Sequence, residues 1–233
     1  MIVGSIKEDL SSEKRVSITP ETAKNIMGLG LKVCIEKDYA THLGIDDNKY
    51  KKTGVEIKDS SSEVFSSSNL IIKVNCPSEN EISLFKEKSI LIGMLNPSKN
   101  KDLINKIIKK KIKTFSLELL PRITRAQSMD VLSSQSNLAG YRAVIDCVAE
   151  FEKAVPMMMT AAGTVPAAKV LVIGAGVAGL QAVATAKRLG AIVSATDVRA
   201  ASKEQVESLG GKFLTVEQAE DMETAGGYAK EAT

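Results

Sequence analysis

The stretch AKVLVIGAGVAGLQAVATAKRLGAIVSATD, from Ala168 to Asp197, leaves a chain few choices of fold. Lys169 to Ile173 is almost wholly apolar and β-branched, the pattern of a strand buried on both faces of a parallel sheet. Gly174, Gly176 and Gly179 follow at once, and helix formers then run from Leu180 to Leu189. Gly190 stops that helix, and Ala191 to Ala195 reads as a second strand leading to Asp197. Strand, glycine turn, helix, strand and acid arrive in the order that a dinucleotide-binding βαβ unit requires. That order is a far stronger signal than the glycine spacing alone.

Each residue of the turn has a physical reason. Gly174 permits the tight strand-to-helix turn, Gly176 lets the backbone approach a pyrophosphate, and Gly179 lets the helix pack closely on the strand. Ala175 and Val177 complete the loop, whose amides open a helix with its positive dipole end toward the phosphates. Asp197 is placed to accept both ribose hydroxyls in charge-assisted bonds of about 1.5–3 kcal/mol and to repel a 2′-phosphate. NAD is therefore expected over NADP, with Arg199, two positions on, arguing the other way.

Composition narrows the class. Hydrophobic residues at 44% and charged residues at 25% are those of a globular protein. A net charge of +3 is too small to argue for nucleic acid. Lys109, Lys110, Lys111 and Lys113 read as the solvated end of a helix, with a basic docking patch as the other reading. Cys34, Cys76 and Cys147 lack metal-ligand spacing, so no metal is expected. Cys34 and Cys147 lie in apolar surroundings and read as core thiols of a reducing compartment. The opening MIVGSIKEDL has no signal-peptide pattern, and no apolar run nears the ~18 residues of a membrane span. Any membrane association is expected to come through a partner.

Upstream, strands alternate with helices. Met1–Ile6 reads as a strand, Lys7–Ser17 as a polar loop, and Thr19 as the cap of a helix with Pro20 first and Gly30 at its end. Strands follow at Leu31–Glu36, Leu70–Val74, Ser89–Met94 and Ile112–Leu117. Helices are expected after Ile45 and at Ser61–Ser68, Ser78–Lys86 and Lys99–Lys110. This alternation predicts a parallel, doubly wound sheet ahead of the nucleotide unit. The expected fold is therefore α/β, with two Rossmann-like parallel-sheet domains at residues 1–134 and 135–233.

Between the two units, Pro121–Ser128 is an irregular polar connector, either a linker or a binding loop at the carboxyl end of a parallel sheet. Met129–Ala154 has helical apolar spacing, interrupted near Gly140. Gln127, Asp130 and Ser133 recur at spacing three, which puts them on one face of a helical turn. Beyond a possible third strand at Gly211–Val216, the chain turns polar through Gly226-Gly227. A dinucleotide-binding sheet needs about six strands, and about three are present here. The second domain is thus expected to be incomplete at its C-terminus, as in a fragment or a sheet completed by another chain.

The whole chain resembles the NAD(H)-binding alpha component of the proton-translocating NAD(P) transhydrogenases, a family that shares its fold with alanine dehydrogenase. Its most specific stretches are PRITRAQSMDVLSSQSNLAGYRAV (Pro121–Val144), VLVIGAGVAGLQAVATAKRLGAIVSATDVR (Val170–Arg199), KEQVESLGGKF (Lys203–Phe213) and GGYAKE (Gly226–Glu231). The resemblance implies that Arg122, Gln127, Asp130 and Ser133 line the nicotinamide end, with Arg122, Gln127 and Asp130 serving catalysis. It also implies that Tyr228 lies on a loop closing over the nucleotide. The implied reaction is direct hydride transfer from NADH here to NADP⁺ on another component, coupled to proton flow through a membrane component. A homodimer at the inner face of the cytoplasmic membrane is implied as well; with half the sheet missing, this piece alone is expected to be inactive.

Two other readings stand. An alanine dehydrogenase would use Arg15 and Lys73, which occupy matching positions, but the histidine that family needs has Met94 or a neighbour in its place. His42, in a THLG turn, is the chain's one histidine and reads as structural or surface. A nucleotide-binding module without chemistry is the third reading, which gains ground if the chain naturally ends at Thr233.

Overall fold

In a computed structural model of the chain, the structure describes residues 1–121 and 123–215. The chain divides into two compact units between Asp130 and Val131. The first holds six strands, β1 (Ile2–Ser5), β2 (Lys32–Glu36), β3 (Glu56–Lys58), β4 (Leu70–Asn75), β5 (Ile90–Met94) and β6 (Lys113–Ser116). Its helices are α1 (Pro20–Gly28), α2 (Asp47–Lys51), α3 (Ser61–Ser67), α4 (Glu79–Leu84) and α5 (Lys101–Lys109). All strand pairs are parallel, in the order β3-β2-β1-β4-β5-β6. That is the doubly wound arrangement, with its topological switch between β1 and β4.

Local chemistry sets the element ends. The Thr19 hydroxyl accepts from the Thr22 amide ahead of Pro20, Asp46 and Ser60 cap α2 and α3 in the same way, and Ser78 with Glu81 forms a reciprocal capping box at α4. Alternation along β2 sends Cys34 into one core, with Val64, Phe65, Ile71 and Leu91, and sends Val33 and Ile35 into the other, with Ile18, Tyr39 and Tyr50. Tyr39 and Tyr50 meet edge to face at 6.0 Å. The Tyr39 hydroxyl accepts from the amides of Ser17 and Ile18 and bonds Ser5 Oγ, and the Tyr50 hydroxyl donates to Ile18 O, which pins the polar loop after β1. The lysines around α5 form the solvated helix end, where Lys110 Nζ donates to the carbonyls of Ser83 and Phe85 at the end of α4.

The second unit opens with α6 (Val131–Phe151). After it come the strands β7 (Met158–Thr160), β8 (Gly163–Val165), β9 (Lys169–Ile173), β10 (Ile192–Thr196) and β11 (Lys212–Phe213), and the helices α7 (Val177–Arg188) and α8 (Ser202–Ser208). A parallel sheet of order β11-β10-β9 forms its body, and β7 and β8 make a separate antiparallel pair. Val170 and Val172 of β9 pair with Val193 and Ala195 of β10 and pack with Val183 and Ala186 of α7. On the opposite face Leu171 is 57% exposed and Ile173 81% exposed.

Several expectations need correction. The long helix is not interrupted at Gly140: α6 runs through it, and a Cβ there would lie 2.0 Å from the Ala178 carbonyl oxygen of α7. The glycine marks a helix crossing rather than a break. Cys147 is exposed on α6, so of the two thiols expected in the core only Cys34 is buried. The β7–β8 hairpin and β3 escape prediction because three residues are too few to show alternation, and in β7 and β8 every side chain is exposed. The third strand of the nucleotide unit is Lys212–Phe213, shorter than expected, while Val216 lies outside the described residues. No described helix is long and apolar enough to cross a membrane.

Candidate nucleotide site

The site is built where β9 turns into α7. Gly174 has φ +93°, a conformation that side chains rarely adopt, and its amide bonds Thr196 O at 2.8 Å, tying the turn to the end of β10. Two steps on, Gly176 starts α7, and among the described residues no side chain caps that helix. Its first amides are therefore left for a ligand's acceptors. Gly179 sits so close under the turn that a Cβ would stand 1.8 Å from Gly174 O. The sequence demands glycine here for contact, not only for flexibility.

Asp197 follows β10 and closes the other side. Its Oδ2 accepts from the Ala175 amide at 2.6 Å and from Arg199 Nη2 at 2.9 Å, and its Oδ1 accepts from Arg199 N at 2.9 Å and Arg199 Nε at 2.8 Å. The Arg199 guanidinium, helped by the Arg199 and Ala175 amides, holds this carboxyl down at about 2 against the opposing pull of burial. It is therefore an anion at any physiological pH. Gly174, Ala175, Gly176, Val177, Gly179 and Asp197 thus meet in one unit around one turn.

The connector residues lie elsewhere in the chain's plan. Gln127 is exposed on a 3₁₀ turn, Thr124–Met129, and belongs with Asp130 to the first unit, whereas Ser133 is half-buried in the first turn of α6. Asp130 has ψ 88°, so the helical run breaks there and spacing three does not place the three residues on one continuous turn. Arg122 and Tyr228 fall outside the described residues. No cluster of metal-ligating side chains occurs among the described residues.

The first unit has its own charged cluster by the switch between β1 and β4. Lys73 is buried within β4, with its Nζ 2.7 Å from Glu81 and 3.4 Å from Glu8. Glu8 also accepts from the Val74 amide at 2.7 Å. Arg15 grips Glu13 through Nε at 2.8 Å and Nη2 at 2.5 Å, and Asn75 Nδ2 donates to the same carboxylate. The sequence named the two cations but not these carboxylates. Glu13, two residues before Arg15, is the one partner that lies close by in the sequence. His42 Nε2 lies 2.7 Å from Lys14 O on the surface, in keeping with a structural role.

Comparison with known proteins also divides the chain in two, but within α6 and not ahead of it. Residues 4–139 match the model described as alanine dehydrogenase/PNT, N-terminal domain, and residues 143–232 match its C-terminal domain. An NAD(P) transhydrogenase subunit alpha polypeptide of Rhodospirillum rubrum is 53% identical over 232 residues, covering 97% of this chain and 60% of its own length. Its counterpart from Rickettsia prowazekii is 48% identical over 237 residues, covering 100% of this chain and 62% of its own length. A solved transhydrogenase structure from Sinorhizobium meliloti matches with a TM-score of 0.89 at 50% identity, over 92% of this chain and 64% of that one. The chain thus spans about 60% of the length of these curated relatives. A doubly wound first unit, a glycine turn closed by an acid in the second, and two domain models that together match almost every residue place the chain in the alanine dehydrogenase/PNT family.

Proposed function

We propose that the chain is the NAD(H)-binding part of a proton-translocating NAD(P) transhydrogenase. The observation that carries this is the ionised Asp197 carboxylate, held beside an uncapped helix N-terminus by the glycine turn's own amide. That arrangement suits a pyrophosphate over Gly174–Gly179 and an adenosine sugar on Asp197. β9 is an outer strand of its sheet among the described residues, so its free backbone edge suits pairing with the other half of a dinucleotide-binding sheet, and the exposed Leu171 and Ile173 lie on a face that such a half would help to cover.

In this reading NADH supplies the hydride, and NADP⁺ on a partner component receives it. Donor and acceptor carbons meet directly, so no side chain of this chain takes up a proton. Arg122, Gln127, Asp130 and Ser133 orient the nicotinamide end, and positioning of this kind supplies about 7–11 kcal/mol of a barrier. Tyr228, on a closing loop, excludes water from the hydride. Proton translocation belongs to membrane components that hold this chain, as a homodimer, at the inner face of the cytoplasmic membrane. An amino-acid dehydrogenase fits less well. Arg15 and Lys73, the cations it would turn toward a substrate carboxylate, are engaged by Glu13, Glu8 and Glu81, and its general acid–base is missing.

Two measurements test the reading. Asp197→Asn is expected to weaken NADH binding by at least about tenfold, the worth of a charge-assisted bond, while NADPH binding stays level or improves. Calorimetric titration of both nucleotides checks it, and equal losses for the two would remove the role given to Asp197. Gln127→Ala and Asp130→Ala are expected to lower turnover in the reconstituted enzyme more than they weaken NADH binding. Unchanged turnover would count against their placement.

A further inference from the structure

We propose that Arg199 is a specificity-determining residue: its guanidinium occupies the sugar-binding positions of Asp197 and is exchanged for the ribose hydroxyls when a nucleotide binds. This rests on reading the second unit as an NAD(H) site. A carboxylate offers about four lone-pair positions, two on each oxygen. On Asp197 all four are taken, two by the backbone amides of Ala175 and Arg199 and two by Nη2 and Nε of the Arg199 side chain. The backbone donors are set by the turn and by the chain leaving β10. The side-chain donors fall one on each oxygen, in the fork that two neighbouring hydroxyls would reproduce. A ribose diol therefore reaches Asp197 only by displacing the guanidinium.

The displaced cation does not go far. Arg199 Nη2 stands 3.9 Å from where a Cβ on Gly176 would sit, so the guanidinium lies against the phosphate turn itself. Once released from Asp197 it lies beside the sugar's 2′ position, where it offsets the repulsion that Asp197 alone would exert on a 2′-phosphate. Arg199 thus lowers affinity for NADH and narrows the preference over NADPH.

The test is nucleotide binding to the full-length protein by calorimetry, with NADH, NADPH and reduced nicotinamide mononucleotide, which lacks the adenosine sugar. Arg199→Gln is expected to tighten NADH by roughly three- to tenfold, the competition an ion pair of this partial burial provides, and to weaken NADPH by a similar factor. Arg199→Lys, which keeps the charge but not the fork, is expected to fall between the two for NADH and to match the parent for NADPH. The mononucleotide is expected to bind parent and variants alike, which also reports that the fold is intact. If Arg199→Gln binds NADH no tighter than the parent, while Asp197→Asn still loses it, the role of Arg199 is overturned and the nucleotide site stands. If the parent binds no NADH, both fall. An equal gain for the mononucleotide would also overturn the proposal, because no ribose diol would be involved.

Discussion

Gly179→Ala is expected to weaken dinucleotide binding severely and to lower the melting temperature of the second unit. The added methyl would stand 1.8 Å from Gly174 O and 2.8 Å from Gly174 C, and both belong to backbone that cannot rotate aside. Either α7 moves off β9 or the turn opens, and in both cases the helix amides and Ala175 N lose their aim. Overpacking of this kind costs about 1–3 kcal/mol or more, and the disordered turn takes nucleotide affinity down by roughly a hundredfold. Gly28→Ala is the control, since its Cβ would meet nothing within 4 Å. A calorimetric titration and a thermal melt read the two effects. A Gly179→Ala protein that binds NADH like its parent would show that the close approach has no part in the site.

Lys73→Met is expected to be the most damaging single change in the first unit. Its side chain is 3% exposed and sits between Glu8, 5% exposed, and Glu81. Removing the cation leaves the Glu8 carboxylate buried without its counter-charge, for which about 3–5 kcal/mol is the usual loss. The pH dependence follows from Glu8, whose carboxyl is already pushed up from 4.5 by burial, against the opposing effect of Lys73 and the Val74 amide. A carboxyl whose folded value lies above its unfolded one binds its proton more tightly when folded, so stability rises as pH falls through the raised value toward 4.5. Without Lys73 the value climbs further. The deficit is therefore expected to be largest at neutral pH and to shrink in acid, and Glu8→Gln on the Lys73→Met background is expected to restore part of it. Urea denaturation across pH checks this. A deficit independent of pH would point to lost packing instead of an unpaired charge.

A dehydrogenase that binds a small carboxylate needs cations turned toward its substrate. Here Lys73 and Arg15 face Glu8, Glu81 and Glu13 instead. The first unit keeps the doubly wound form, with internal ion pairs beside its switch strands.

By itself the sequence determined the βαβ unit from Ala168 to Asp197, the alternation of the first domain and the helix starts at Thr19 and Ser78. Each of these rests on periodicity, turn chemistry or capping within a few residues, so the information is local. Tertiary structure alone decided that Gly140 is a crossing against Ala178, that Lys73 belongs to Glu8 and Glu81, and that Arg199 fills the acceptor positions of Asp197. It also decided that Cys147 is exposed and that a hairpin precedes β9. Most of these depend on groups far apart in the chain, and the Asp197–Arg199 bonds depend on side-chain rotamers. Neither distance nor rotamer is written in the local pattern of residues, and packing settles both only once the sheet and its helices have come together.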